Sequence, residues 1–305
     1  MKVILVTGSE GFVGSHLVKI LRELSYEIVP TCYPPLRPKT GKHVPLDLLN
    51  SDATKDVLKA HEPDIVFHLA AISSVAKSFR DPPRTYSTNV LGTANLVTAV
   101  KNLKKKVHFI FISTCEVYGG GDQISETADI VLKNPYAVSK YAAEMVCQHH
   151  FVDELECTIL RPFTHTGPGQ SQDFVLPTIA AQIAEIEKNK RPPLLELGNI
   201  DVKREFMNIR DICEAYALSI ENCTPGDIYN ISSNTGYTIR QALDIFAKRS
   251  KVAFEVKTDP SKFRKVDIPV LIGDGRKFAG LTGWKPTMTF EKTIESLLYY
   301  WRAKT

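Results

Sequence analysis

An apolar segment, KVILVT at residues 2–7, runs straight into Gly8-Ser9-Glu10-Gly11-Phe12-Val13-Gly14, and an amphipathic stretch, SHLVKILREL, follows at once. A short continuous apolar run predicts a strand buried on both faces, which belongs in a parallel sheet covered by helices. G-x-x-G-x-x-G spacing between such a strand and a helix has a specific physical use. Glycines let the turn tighten and let backbone approach a pyrophosphate, while free N–H groups at the helix N-terminus face its charge. This order constrains the chain to a doubly wound α/β fold carrying a dinucleotide. Gly8, Glu10, Gly11, Phe12, Val13 and Gly14 are expected to line the site; a plain tight turn is the alternative reading.

The alternation continues. EIVPTC, HVPLDLL, DIVFHLA, VHFIFIS and CTILRP read as further strands, with helical patterns at SDATKDVLKAHE, at about 84–103 and at 135–153. The pattern predicts a Rossmann-type parallel sheet over residues 1–162. After Pro162 the character changes to a turn-rich THTGPGQ, short strands and helices near 176–188, 211–222, 238–250 and the C-terminal end. Residues 163–305 read mainly as a smaller, interleaved substrate-binding lobe, with returns to the first domain near 205–233.

Strand ends locate the cofactor. Where an acid often closes the second strand and holds ribose hydroxyls, this chain reads Pro30-Thr31-Cys32-Tyr33. Without an acid there a 2′-phosphate is not repelled, and Thr31 or Arg37 can meet it, which favours NADP(H) and leaves NAD(H) open. Asp47, with Leu48, closes the third strand pattern and is expected at the adenine edge or as a cap. Leu69, Ala70 and Ala71 end the fourth, where small side chains suit close packing against a dinucleotide.

Tyr136 and Lys140 in NPYAVSK stand one helical turn apart on one face. A tyrosine can pass a proton to a substrate oxygen, and a neighbouring ammonium lowers its ordinary pKa. Thr114 and Glu116 in ISTCEVYG lie at the end of the fifth strand, the edge where such sheets bind ligands. Thr114 can share the substrate oxygen with Tyr136. Glu116 falls on the same side if the strand persists, either as an acid/base at a carbon or as a holder of sugar hydroxyls. Cys115 reads as a buried, inert thiol. His165 is a proton donor or a hydrogen-bonding loop residue.

Composition removes other classes. A net charge of +4 spread over 305 residues does not favour nucleic acid, and KNLKKK reads as a helix end. No apolar run reaches bilayer-spanning length, and Met1 leads directly into a strand pattern, so neither membrane nor signal peptide is expected. Six cysteines without CxxC spacing and no zinc-like histidine spacing suggest reduced thiols in the cytoplasm and no metal.

On GSEGFVG, HLAA, STCEVYG, NPYAVSK, RPFTHTGPGQ and GNIDVKREFMNIRD, the chain resembles the extended short-chain dehydrogenase/reductases that act on nucleotide sugars. HTGPGQ and KREF resemble the GDP-mannose 4,6-dehydratase branch, and look closest to reductases that convert GDP-4-dehydro-6-deoxy-D-mannose to GDP-D-rhamnose. The resemblance implies a proton-relay role for Asn89, sugar-nucleotide contacts at Thr164 and His165, and diphosphate contacts at Arg204 and Arg264. It also implies a homodimer built on the helices near 84–103 and 136–153. Thr164 stands where the branch usually has asparagine. STCEVYG resembles the STDEVYG of sugar dehydratases with Cys115 at the aspartate, and the chain is shorter than GDP-mannose dehydratases. These features favour a reductase; a 4,6-dehydratase or 4-epimerase with recycled cofactor is the alternative, and a non-enzymatic dinucleotide sensor the remote one.

Overall fold

A computed structural model describes residues 1–34, 42–150, 156–263 and 267–305. Seven parallel strands among the described residues form the main sheet: β1 (Val3–Thr7), β2 (Glu27–Cys32), β3 (Val44–Pro45), β4 (Ile65–His68), β5 (His108–Ile112), β6 (Glu156–Pro162) and β7 (Ile228–Ile231). Their spatial order is 3-2-1-4-5-6-7, so the chain reverses direction across the sheet beside β1. Ligands in such sheets bind at the carboxyl ends of the strands where the order reverses.

Alternation along each strand feeds two apolar layers. Ile4, Val6, Ile65, Phe67, Ile110 and Ile112 pack with α1 (Phe12–Glu23), while Leu5, Val66, Phe109 and Phe111 pack on the other face with α2 (Ser51–His61) and α3 (Gly92–Lys101). Burial on both faces explains why β1, β4 and β5 read as uninterrupted apolar runs. α4 (Pro135–His150) buries Tyr136, Ser139, Lys140, Ala143, Glu144 and Cys147, one stripe at helical spacing. Asn134 starts it, accepting from the Ala137 N–H at 2.8 Å, with Pro135 in the first turn.

The long helix expected over 84–103 is three pieces. Asp81 caps Pro82–Tyr86, a π-helical turn covers Ser87–Leu91, and α3 follows. The wider turn leaves the 3.6-residue apolar pattern almost intact, so it does not show in periodicity.

In the second half, α5 (Val175–Glu187), α7 (Ile239–Arg249) and α8 (Phe290–Lys304) share a separate core around Ile179, Ile183, Phe246 and Leu297. α6 (Ile209–Asn222) instead packs on α1. A small sheet joins Tyr237–Thr238, Lys203–Arg204, Val270–Gly273 and Gly121–Ile124. Buried Glu205 ties this lobe to the main sheet, accepting from Ser232 Oγ at 2.6 Å and from the Ser233 and Gly273 N–H groups at 2.7 Å.

Candidate active site

At the end of β1, Gly8 adopts φ +67°, and a Cβ there would lie 2.9 Å from the Ala70 backbone. Only glycine permits that approach. Gly14 lets α1 close onto the loop, since a Cβ would lie 2.6 Å from Ser9 Cα. The Gly11 end of α1 carries no side-chain cap, so its first-turn N–H groups remain available to an anion. Val13 and Phe12 lie in that first turn. Loop and helix end together fit a dinucleotide diphosphate.

Ser9 fastens the loop to β2: its N–H and hydroxyl both donate to the Thr31 carbonyl, at 3.3 and 2.7 Å. Thr31 itself is buried and its hydroxyl donates to the Val6 carbonyl at 3.3 Å. In this arrangement the Thr31 hydroxyl serves the sheet and is not turned toward a 2′-phosphate. Arg37 lies outside the described residues. Asp47 lies beyond β3 and accepts from the Leu49 N–H at 3.0 Å; buried Leu48 packs under Gly92 and its carbonyl takes a bond from Asn95 at 2.8 Å. Beside Leu69, the Ala70 N–H donates to Thr7 Oγ1 at 3.2 Å. His68 is held by the hydroxyls of Thr7 and Thr93 at 2.7 and 2.9 Å, and burial, aided by the Lys140 charge, lowers its pKa to about 3. It is a neutral structural imidazole.

Strand β5 stops at Ile112. Thr114 is extended, and its hydroxyl accepts from the Glu116 N–H at 3.2 Å, opening a 3-10 turn over Cys115–Tyr118 that ends at left-handed Gly119. The strand does not persist to Glu116, so strand alternation is not what places that carboxylate. Asn134 places it, donating to Glu116 Oε2 at 2.9 Å just ahead of Tyr136. Burial raises the Tyr136 pKa above its ordinary value, the neighbouring Thr114 hydroxyl opposes this, and the Glu116 charge adds to it. Lys140, buried with its ammonium 4.1 Å from the Phe111 ring centre, is pushed down to about 8 by desolvation. Cys115 is buried and its thiol is held well above its ordinary pKa, first by desolvation and then by Glu116, as an inert thiol requires.

The π-helical turn presents Asn89 inward. Its amide donates to Ser139 Oγ at 2.8 Å and to the Ile72 carbonyl at 3.1 Å, and accepts from the Ile72 N–H at 2.8 Å. Ser139 in turn donates to the Tyr136 carbonyl at 2.7 Å, and Ser78 Oγ accepts from the Tyr136 N–H at 3.1 Å. One asparagine thus joins the end of β4 to the first turns of α4.

Similarity across almost the whole chain decides the family: residues 5–297 match the family model described as GDP-mannose 4,6 dehydratase. The chain belongs to that family. It is 34% identical over 311 residues to a GDP-6-deoxy-D-mannose reductase of Pseudomonas aeruginosa, covering 99% of this chain and 97% of the relative. The solved structure of RMD from P. aeruginosa complexed with NADPH superposes with a TM-score of 0.90 at 34% identity, covering all of both chains. A UDP-glucose 4-epimerase from Thermus thermophilus in complex with NAD gives 0.87 at 28% identity, covering 99% of this chain and 100% of that one. These two similar structures carry NADPH and NAD, respectively, on this Rossmann-type frame.

Arg204 is buried and donates to the carbonyls of Lys203 and Ile268 at 2.8 and 2.6 Å, so its guanidinium is turned onto backbone rather than offered as an open fork. Its charge still reaches Cys115. Arg264 lies outside the described residues. The Thr164 carbonyl accepts from the Met207 N–H at 3.0 Å. The His165 ring stacks near-parallel to Phe12 of the glycine loop at 6.3 Å, with Nδ1 2.9 Å from the Phe163 carbonyl. Burial lowers its pKa, which disfavours the charged imidazolium, and the bond to Phe163 opposes this. Sequence reasoning missed Asn134, Ser78 and Ser139. For Asn134 the signal was present: asparagine immediately before proline at a helix start is a capping pattern.

Proposed function

We propose that this chain reduces the C4 keto group of GDP-4-dehydro-6-deoxy-D-mannose to give GDP-D-rhamnose, using NAD(P)H. The observation that carries this reading is the end-to-end similarity to the P. aeruginosa reductase. The chemistry of the site agrees with it. A bound reduced nicotinamide supplies hydride to C4. Tyr136 gives the proton to the C4 oxygen. Reduction needs that tyrosine protonated beforehand, and both its burial and the Glu116 charge keep the proton on. Thr114 shares the same oxygen and fixes its direction. Lys140 holds the nicotinamide ribose and lends positive charge as the proton leaves. Asn89, through Ser139, holds the turn of α4 that carries Tyr136. Glu116, tied to Asn134, positions sugar hydroxyls.

Retention of Glu116 favours one second reading, a 4,6-dehydratase or 4-epimerase that recycles its cofactor. Glu116→Gln separates them. A dehydratase loses nearly all activity, whereas the reductase keeps most of its turnover and consumes added reduced cofactor one for one with the keto-sugar. Failure to consume cofactor with any GDP-linked keto-sugar would remove the reductase reading.

Residues 1–162 carry the cofactor in this proposal, and 163–305 mainly the nucleotide sugar. The protein is a cytoplasmic homodimer; six buried thiols, with no disulfide among the described residues, suit a reducing compartment. Tyr86, Leu91, Val138 and Met145 are exposed on the helical segment around α3 and on α4, an apolar face that a second copy would cover. Sedimentation should give twice the 34.1 kDa chain mass, and a monomer at micromolar concentration would contradict the dimer.

A further inference from the structure

The second strand lacks an acid, but its end does not. Glu10, in the middle of the glycine loop, reaches across so that Oε1 accepts from the Tyr33 N–H at 3.1 Å, one residue past β2. Its charge contributes, after burial, to raising the thiol of Cys32, the last residue of that strand. The loop is fixed in this pose by the two Ser9 bonds to the Thr31 carbonyl and by the Gly11 N–H on the Gly8 carbonyl at 3.1 Å. Glu10 therefore stands between the diphosphate cradle and the carboxyl end of β2. That is where the adenosine ribose of a bound dinucleotide lies.

The second carboxylate oxygen is the decisive detail. Glu10 Oε2 is buried and has no hydrogen-bond partner. A buried acceptor without a donor is costly, so a turn of the side chain that brings Oε2 out to a ribose hydroxyl gives up no bond at that oxygen and gains a donor. A phosphate on the ribose 2′ position would bring about −1.5 to −2 charges against the same carboxylate, by analogy with other phosphomonoesters. Thr31 offers such a phosphate no hydroxyl, since that group faces Val6.

We propose that Glu10 is the specificity-determining residue for the cofactor, doing from the glycine loop what an acid at the end of the second strand does elsewhere. It accepts from the adenosine ribose hydroxyls and makes the enzyme select NAD(H) over NADP(H). This departs from the P. aeruginosa relative, whose solved complex holds NADPH, and from the preference that the missing strand-two acid alone suggests. The inference rests on the dinucleotide site of the proposed function and not on the identity of the sugar.

Binding tests it without turnover. Nicotinamide fluorescence titrations of the wild-type protein with NADH and NADPH, and calorimetry with 5′-AMP and 2′,5′-ADP, read the ribose contact directly. NADH should bind at least about tenfold tighter than NADPH, a like-charge penalty of ordinary size. The AMP pair should rank the same way. Glu10→Gln, which keeps shape and removes charge, should shrink the NADH/NADPH ratio at least about tenfold, mainly by gaining NADPH affinity. Glu10→Ala should shift the ratio in the same direction, and circular dichroism should show both variants folded. Tighter wild-type binding of NADPH, abolished by Arg37→Ala, would overturn the proposal, as would an unchanged ratio in folded Glu10→Gln. If both cofactors bind as proposed but no GDP-keto-sugar is reduced, the reductase reading fails and the Glu10 assignment stands.

Discussion

Gly14→Ala adds one methyl group where the structure has no room for it. The new Cβ lies 2.6 Å from Ser9 Cα and closer still to the Gly8 carbonyl oxygen, whereas ordinary contact begins near 3.4 Å. The loop or the start of α1 must therefore retreat by more than about 0.8 Å, the shortfall at Ser9 Cα alone. Neither neighbour is a side chain that can swing away. Two bonds that hold the loop, Gly11 N–H to the Gly8 carbonyl at 3.1 Å and Ser9 N–H to the Thr31 carbonyl at 3.3 Å, have no slack for such a shift. The first-turn N–H groups of α1 move away from the diphosphate by a similar amount. A hydrogen bond to a charged group is worth about 1.5–3 kcal/mol, so each one lost weakens dinucleotide binding roughly 10- to 100-fold. Overpacking also lowers fold stability by about 1–3 kcal/mol. Fluorescence titration and urea unfolding measure the two effects separately. Gly280→Ala is the control: it lies in the helix Arg276–Thr282, and a methyl group added there meets nothing within 4 Å. That change should leave binding intact and stabilise the fold by about 0.5–1 kcal/mol. A folded Gly14→Ala protein with wild-type dinucleotide affinity would refute the cradle.

Other outcomes follow from the same geometry. Tyr136→Phe should lower turnover about 10²- to 10⁴-fold, with dinucleotide affinity retained in titration. Lys140 has a folded pKa of about 8, below its ordinary 10.5. The unfolded chain therefore holds more protons between those values, and wild-type stability should rise with pH across that window. Lys140→Met should stabilise the cofactor-free protein at neutral pH by up to about 3 kcal/mol, an advantage that fades above pH 8, while turnover is lost. Arg161 donates to Glu144 at 2.6 and 3.0 Å with both groups buried, and Ser113 bonds the same carboxylate. Arg161→Met should cost about 3–5 kcal/mol in urea unfolding because it strands a buried charge, and adding Glu144→Gln should recover part of the loss.

The glycine loop, the strand–helix alternation and the Tyr136–Lys140 pair were legible because each is written in local spacing. Buried β1, β4 and β5 look apolar along their whole length, and positions 136 and 140 share a face in any helix. Glu116 was harder. The run HFIFIST reads as one strand, and nothing in its hydrophobicity shows that the Thr114 hydroxyl caps the Glu116 N–H and turns the chain into a 3-10 coil. The π-helical turn around Asn89 hides for the same reason, since one wide turn barely disturbs the apolar rhythm. Arg204 was expected from its motif as an open fork, and tertiary contacts with the Ile268 carbonyl turned it inward. Glu10 occupies a variable letter of the glycine pattern, and its reach to Tyr33 depends on the bend of the loop, which spacing does not encode.

The central claim is hydride delivery to C4 with a proton from Tyr136. GDP-4-dehydro-6-deoxy-D-mannose incubated with reduced nicotinamide cofactor deuterated at the transferring C4 position tests it most directly. The expected result is one cofactor oxidised per sugar consumed, one deuterium at C4 of the hexose, and GDP-D-rhamnose as the product by magnetic resonance. A product without deuterium at C4, or turnover with no net oxidation of cofactor, would contradict it.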